Sequence, residues 1–183
     1  MKTIVKIIAC FIFLSTVFGC TTVYKAAVDE RNVGTIADDT MIKGKIVEKI
    51  LEDDKLKLLD ISTGCYRGHV YLVGEYDHAA QKERAIKIAK SIHGVKEVTT
   101  YMVPKKKDDS CGLKDNLEIA GKVKAKLIED KNIWSTNIDV KSIQCHVVLY
   151  GLVGSKAEID KAVAHAKSVT GIRGVTSFLE SVK

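Results

Sequence analysis

The stretch HVYLVG, residues 69–74, returns as HVVLYG at residues 146–151 of the 183-residue chain. Its alternating apolar positions predict a half-buried β-strand. Two histidines at the start of matching strands are compatible with a metal site, a catalytic pair or a duplicated domain. The residues around the two stretches decide between these interpretations.

The register of the two halves favours a duplicated domain. Placing His69 on His146 fixes an offset of 77 residues (146 − 69), and the match continues without a gap. The matched glycines are Gly44 with Gly121, Gly74 with Gly151, and Gly94 with Gly171. Two copies are too few for a solenoid. We therefore predict two compact domains, residues 41–104 and 117–183.

Each copy has the pattern of a small α+β domain. Helical spacing is shown by Ile42, Ile46 and Ile50 in the first copy, and by Ile119, Val123 and Leu127, with Ala120 and Ile128 alongside, in the second. A β-hairpin follows, turning at residues 67–68 or 144–145. A second helix ends near Gly94 and precedes a last strand. The predicted order is α-β-β-α-β, with the helices packed on one face of a small mixed sheet.

Residues 1–19 have the composition of a signal peptide. Lys2 and Lys6 precede the apolar run of residues 7–18. This run is shorter than the roughly 20 residues that a membrane-spanning helix needs. An exported protein is therefore expected.

The end of this segment, VFGC at residues 17–20, resembles the lipobox of bacterial lipoproteins, which implies acylation of Cys20. IIAC, ending at Cys10, also fits but follows few apolar residues, and an ordinary cleaved signal is the other alternative. Thr21 stands where an inner-membrane retention signal would place Asp. We expect a lipid-anchored protein of the outer membrane that faces the periplasm. Stable anchoring takes two or more acyl chains.

Two segments outside the copies are predicted to be irregular. Residues 20–40 are interpreted as a lipidated tether, and residues 105–116, rich in Lys and Asp, as a linker. Removing the signal leaves 27 basic residues, since two of the 29 are lost, against 23 acidic ones. This modest excess suits an anionic membrane surface and does not favour nucleic acid.

The two units, each with an aliphatic-x-Leu-x-Gly strand and a later helix that ends at a glycine, resemble tandem BON domains (bacterial osmotic-shock and nodulation). DERNVGTIADD, residues 29–39, is similar to the stretch before the first domain of dual-BON outer-membrane lipoproteins. The resemblance covers essentially the whole mature chain. It implies non-catalytic envelope proteins that bind anionic phospholipid, such as phosphatidylglycerol, and support envelope integrity, with the lipid associated with the second domain.

No catalytic, metal or cofactor site is predicted. His69 and His146 occupy corresponding positions of two domains, and no spaced Cys/His pair accompanies them, whereas zinc needs three or four ligands. His165 is expected at the edge of a core with a local hydrogen-bond partner. No arrangement of a nucleophile with an activating base is apparent.

The mature chain retains Cys65, Cys111 and Cys145 besides the lipidated cysteine. An odd number leaves at least one thiol unpaired. A disulfide involving Cys111 remains an alternative, and free thiols are favoured.

The predicted lipid-binding residues lie in and after the first helix of the second copy. They are Leu117, Lys122, Lys124, Lys126 and Trp134. Lysine attracts anionic headgroups, and tryptophan favours the membrane interface. Two alternatives remain: a solvated lysine face with Trp134 in the core, and a structural module that docks an envelope assembly or cell-wall partner, with lipid affinity only through its anchor.

Overall fold

The computed structural model describes residues 33–182, so the predicted signal peptide and Cys20 lie outside the described residues. The first half contains α1 (Val33–Leu51), β1 (Ile61–Tyr66), β2 (His69–Tyr76), α2 (Ala79–Ser91) and β3 (Glu97–Pro104). The second contains α3 (Leu113–Glu129), β4 (Ile138–Ile143), β5 (His146–Val153), α4 (Lys156–Lys167) and β6 (Gly174–Ser181). The predicted α-β-β-α-β order is confirmed in both halves.

Each half forms its own three-stranded mixed sheet. The strand orders are β1-β2-β3 and β4-β5-β6. The first two strands of each sheet are antiparallel, and the last is parallel to the middle one because a helix carries the chain back across the sheet. Ile61 lies opposite Gly74, and Ile138 lies opposite Gly151, so the offset of 77 also holds in the strand register.

The helices cover one face of each sheet. Ile42, Ile46 and Ile50 of α1 pack on Val70 and Leu72 of β2 in the first core. In the second, the contacts are made by Ile119, Val123, Leu127, Val147 and Leu149. Residues four apart share a helix face, which explains why these positions are buried together. The predicted helical spacing is confirmed, except that Ile128, placed in the same stripe, is 61% exposed.

Both first helices begin earlier than the sequence pattern indicates. α1 begins at Val33, within the predicted tether, and α3 begins at Leu113, within the predicted linker. The added turns carry polar side chains that hold the hairpin turns. Asp39 is buried and accepts hydrogen bonds from the backbone N–H groups of Arg67 and Gly68, both at 2.8 Å. Polar anchors of this kind do not appear in an apolar spacing pattern.

The opposite faces of the two sheets pack against each other. Tyr71 and Val73 of β2 meet Val148, Tyr150 and Leu152 of β5 in a third apolar cluster. The rings of Tyr71 and Tyr150 stack with their centroids 5.4 Å apart. HVYLVG is therefore buried on both faces, and the expectation of a half-buried strand is wrong. A strand covered on both sides is apolar at nearly every position.

Hydrogen bonds at the rim join the two domains. The Tyr71 hydroxyl donates to Glu180 at 2.6 Å, and the same carboxylate oxygen lies 2.6 Å from Nδ1 of His69. Burial and the Glu180 carboxylate raise the pKa of Tyr71. The Tyr66 hydroxyl donates to Asp139 at 3.0 Å. These bonds orient the two sheets relative to each other.

Cys111 and Cys145 form a disulfide, with their Cα atoms 5.7 Å apart. The expectation of free thiols is wrong for this pair, while the buried Cys65 keeps a thiol that donates to Asp39 at 3.3 Å. The bond brings the segment before α3 to the turn between β4 and β5. Sequence spacing does not reveal this proximity, because the two cysteines have no counterparts in the first copy.

Replacing Cys111 and Cys145 together by Ser should lower the free energy of unfolding by about 3–4 kcal/mol, because the bond closes a long loop in the unfolded chain. The two cysteines are 34 positions apart. Urea denaturation of the form spanning residues 21–183 measures the change. A reducing agent should shift the midpoint of the original protein and leave that of the double variant in place. Equal midpoints for both proteins without reductant would contradict the expectation.

Candidate functional site

Helix α3 presents a line of large apolar side chains to solvent. Leu113, Leu117 and Ile128 are 76%, 64% and 61% exposed. At about 100° per residue these three positions lie within about 60° of one another around the helix. The line runs parallel to the buried stripe. The sequence predicts Leu117 for this site, but it places Leu113 in the linker and Ile128 beside the core stripe.

The predicted lysines do not all share the face of Leu117. Lys122 pairs with Glu118 at 2.6 Å along the helix. Helical spacing places Lys122 about 140° and Lys126 about 180° from Leu117. Lys114, at about 60° from Leu117, is the closer exposed cation. The structure therefore separates the apolar line from two of the predicted lysines.

Lys124 turns its charge toward the protein. Its ammonium donates to the carbonyl oxygen of Ile138 at 2.7 Å and also to that of Ser135. The side chain is partly buried and ties α3 to the short turn before β4. The same position in the first domain is Val47. The charge that interrupts the apolar pattern therefore has a structural partner.

Trp134 follows the C-terminal end of α3, whereas Leu117 lies near the N-terminal end. The backbone N–H of Trp134 donates to Glu158 at 3.2 Å, and its ring packs against Gly154. The side chain is half-buried. α3 has 17 residues, and a helix rises about 1.5 Å per residue. Leu117 lies near the start of this helix, and Trp134 follows its end. Ile128 lies near the C-terminal end of α3, which is the end closer to Trp134.

Helix α1 carries a weaker version of this line. The positions that correspond to Leu113, Leu117 and Ile128 are Ile36, Thr40 and Leu51. Ile36 is partly buried and Thr40 is polar, so Leu51 is the large exposed apolar side chain among these three, while α1 also exposes Val33 and Met41. The three exposed apolar side chains of α1 spread over about 80° around the helix, whereas those of α3 lie within about 60°.

The repeated histidines have the same structural role in the two domains. Nε2 of His69 lies 2.8 Å from the Thr99 hydroxyl, and Nε2 of His146 lies 2.8 Å from that of Thr176. Each pair bridges neighbouring parallel strands. Burial lowers the pKa of His146. A bond that recurs at the same position indicates inherited sheet structure.

The prediction that His165 has a local partner is confirmed. Its Nε2 lies 2.9 Å from a carboxylate oxygen of Asp130. This hydrogen bond, together with those from Asn132, lowers the pKa of Asp130 to about 2. Within residues 33–182, no group of three or more His, Cys, Asp or Glu side chains is placed to hold a metal ion.

None of the helices between residues 33 and 182 combines the length and apolar composition that a membrane span requires.

Comparison with known proteins supports the duplication. The BON domain family matches residues 38–103 and 115–182. The chain is 32% identical over 151 residues to the Osmotically-inducible protein Y of Escherichia coli, covering 81% of this chain and 75% of that protein. It is 25% identical over 181 residues to the Outer membrane lipoprotein DolP of Haemophilus influenzae, covering 96% and 93%. It is 26% identical over 157 residues to the 21 kDa hemolysin of Actinobacillus pleuropneumoniae, covering 85% and 80%.

The two matched segments coincide with the two α-β-β-α-β halves of the structure. The relatives align across both halves and the segment between them. The chain belongs to the BON-domain family and carries two tandem copies of the domain.

Proposed function

We propose that this protein is an outer-membrane lipoprotein, anchored through acylated Cys20 and facing the periplasm, whose second BON domain binds anionic phospholipid and supports envelope integrity. The proposal includes no catalysis. The anchor rests on the lipobox-like sequence, since Cys20 lies outside the described residues. Similarity over 93% of a protein named an outer membrane lipoprotein supports the location.

The exposed line Leu113, Leu117 and Ile128 carries the proposal of lipid binding. Helices with one apolar face and one charged face bind in the plane of a membrane interface. Full burial of a leucine or isoleucine side chain contributes about 1.5–3 kcal/mol. Three such side chains within about 60° of one another supply a driving force for binding through this helix face.

Positive charge supplements the apolar line. Lys114 stands beside it on α3, and each lysine near an anionic surface contributes about 1 kcal/mol. Lys122 and Lys126 lie further around the helix and act over a distance comparable with the Debye length, about 8 Å at physiological salt. Trp134 belongs to the proposed surface because it lies just beyond the end of α3 that carries Ile128. Lys124 contributes through the turn that it holds.

Changing Leu117 and Ile128 to Glu should abolish binding to phosphatidylglycerol vesicles. Each substitution removes apolar contact and adds a charge that an anionic surface repels, so each should weaken binding by about tenfold. Flotation of the form spanning residues 21–183 measures this effect without the acyl anchor. This form keeps every described helix and strand.

The matched control is Leu51→Glu, which makes the same kind of change at the position in α1 that corresponds to Ile128. Leu51 is 70% exposed. This variant should float like the original protein. Changing Lys114, Lys122 and Lys126 to Glu should remove the preference for phosphatidylglycerol over phosphatidylcholine. If the original protein shows no charge-dependent binding, the lipid proposal fails and docking of an envelope partner replaces it.

A further inference from the structure

The two domains contain clefts at equivalent places, and the described residues that line them differ. The first cleft lies between α1, the β1–β2 turn and residues 93–96, and has a volume of about 500 Å³. The second lies at the corresponding place in the second domain, beside the linker, and has a volume of about 370 Å³. Lys96 in the first corresponds to Arg173 in the second through the offset of 77.

The second cleft holds a carboxylate supplied by the chain itself. Arg173 donates from Nη1 to one oxygen of Asp109 at 2.8 Å, and its Nη2 lies 2.7 Å from the other. Arg173 also donates to the Ser110 hydroxyl at 2.8 Å. The Cys111–Cys145 disulfide fixes the same segment. The hydrogen bond from Arg173 lowers the pKa of Asp109 to about 2. The cleft therefore binds a short acidic segment.

In the part of the chain that the structure describes, the first cleft is lined by cations and has no counterpart of the Asp109–Arg173 pair. Lys45, Arg67 and Lys96 line it and are exposed. Among residues 33–182, the ion pairs of the structure are made by other side chains. In the second domain Lys122, the counterpart of Lys45, pairs with Glu118. The residue at the position of Glu118 in the first domain is Met41.

The two acidic residues that line the first cleft do not cancel this charge. Asp39 is buried, and its carboxylate accepts the backbone N–H groups of Arg67 and Gly68. Asp38 is the second acid in the wall. Three cations against two carboxylates leave one net positive charge. Arg67 has a φ of 54°, which turns the chain tightly at the mouth of the cleft.

We propose that the first-domain cleft docks an extended acidic segment of a partner protein, with a carboxylate placed on Arg67 and Lys96 as Asp109 is placed on Arg173. A carboxylate on an arginine forms a directional, charge-assisted pair. This site lies in a different domain from the proposed lipid surface and takes a different ligand. It does not depend on phospholipid binding.

The test uses the form spanning residues 21–183 and a peptide, Asp-Asp-Ser-Ser-Gly with blocked ends, based on residues 108–112 with serine for cysteine. Titration followed by amide NMR should shift the signals of Gly68, Gly94 and Lys96. The signals of Gly171 and Arg173 should stay in place, because the linker fills that cleft. Lys96→Glu should weaken binding by about tenfold, since it replaces attraction by repulsion.

Lys87→Glu is the matched control, because Lys87 is exposed on α2 of the same domain and does not line the cleft. It should bind the peptide like the original protein. Lys96→Glu should leave vesicle flotation unchanged, which separates this proposal from lipid binding. An Asn-Asn-Ser-Ser-Gly peptide that binds equally well would overturn the proposal, as would unchanged binding to Lys96→Glu.

Two further outcomes would replace the partner segment by another occupant. If inorganic phosphate or phosphatidylglycerol vesicles shift the same signals more strongly than the peptide, the cleft is a phosphate site. If a form beginning at residue 33 binds the peptide and the longer form does not, residues 21–32 occupy the cleft. Either result overturns docking of a partner protein.

Discussion

Gly151→Ala should unfold the second domain or leave it only marginally stable. Gly151 has a φ of 133°, which L side chains rarely adopt, and an added Cβ would lie 2.0 Å from the carbonyl oxygen of Asn137. The strained backbone costs about 1–3 kcal/mol, and overpacking costs a similar amount. Together these approach the total stability of many domains, about 5–15 kcal/mol.

The position in the sheet explains why the clash cannot be relieved. Gly151 lies in β5, the middle strand, and pairs with Ile138 on one side and Leu179 on the other. Moving the strand away from Asn137 would break both ladders. Gly74 has the same relation to Asp60 in the first domain, where an added Cβ would lie 1.9 Å from the carbonyl oxygen.

Urea denaturation and amide NMR of the form spanning residues 21–183 measure the effect of Gly151→Ala. Gly44→Ala is the matched control, since an added Cβ at Gly44 meets nothing within 4 Å. Alanine is favoured over glycine in a helix by about 1 kcal/mol, so this control should be slightly more stable than the original protein. A dispersed spectrum and an unchanged midpoint for Gly151→Ala would contradict the expectation.

Sequence alone could predict the elements that depend on repeated local patterns. The offset of 77 and the helical spacing of Ile42, Ile46 and Ile50 are periodic signals, and they locate two domains and their helix-side cores. The starts of α1 and α3 could not be found in this way. Asp39 and Asn116 in these added turns accept hydrogen bonds from the hairpin turns, which are contacts between residues distant in sequence.

The candidate site could be predicted only in part, for a related reason. Leu117 belongs to an apolar line that becomes visible once α3 is known to begin at Leu113. The sequence identifies Lys124 as an unusual charge, but its bonds to the carbonyl oxygens of Ser135 and Ile138 require the tertiary structure. The acidic segment at Arg173 likewise depends on a disulfide that has no counterpart in the first copy.

The packing of one sheet on the other is the feature that is hardest to predict from the sequence of one copy of the repeat. Gly64 of β1 faces the ring of Tyr150, and an added Cβ would lie 2.5 Å from Cε2 of that ring. The counterpart of Gly64 in the second domain is Lys141. The missing side chain at Gly64 thus serves the contact between domains, and it breaks the match between the copies at that position.

Gly64→Val and Tyr150→Ala should each destabilise the protein. The double variant should lose less free energy of unfolding than the sum of the losses in the two single variants. Tyr150 is 3% exposed, so its ring has no room to move when valine is added. The first change should cost about 1–3 kcal/mol through overpacking. The second should cost about 3–5 kcal/mol through the cavity that it leaves. Valine fills part of that cavity, and contacting residues couple by about 0.5–3 kcal/mol.

A double-mutant cycle measured by urea denaturation gives this coupling directly. The matched control combines Gly44→Ala with Tyr150→Ala. Gly44 lies on α1, whose buried face packs in the first-domain core, so these two changes should be additive within about 0.5 kcal/mol. If the Gly64–Tyr150 pair shows coupling and the control pair does not, the two sheets pack against each other in solution as they do in the structure. Additive losses for both pairs would mean that the two domains do not share this contact, and HVYLVG would then be buried on one face only.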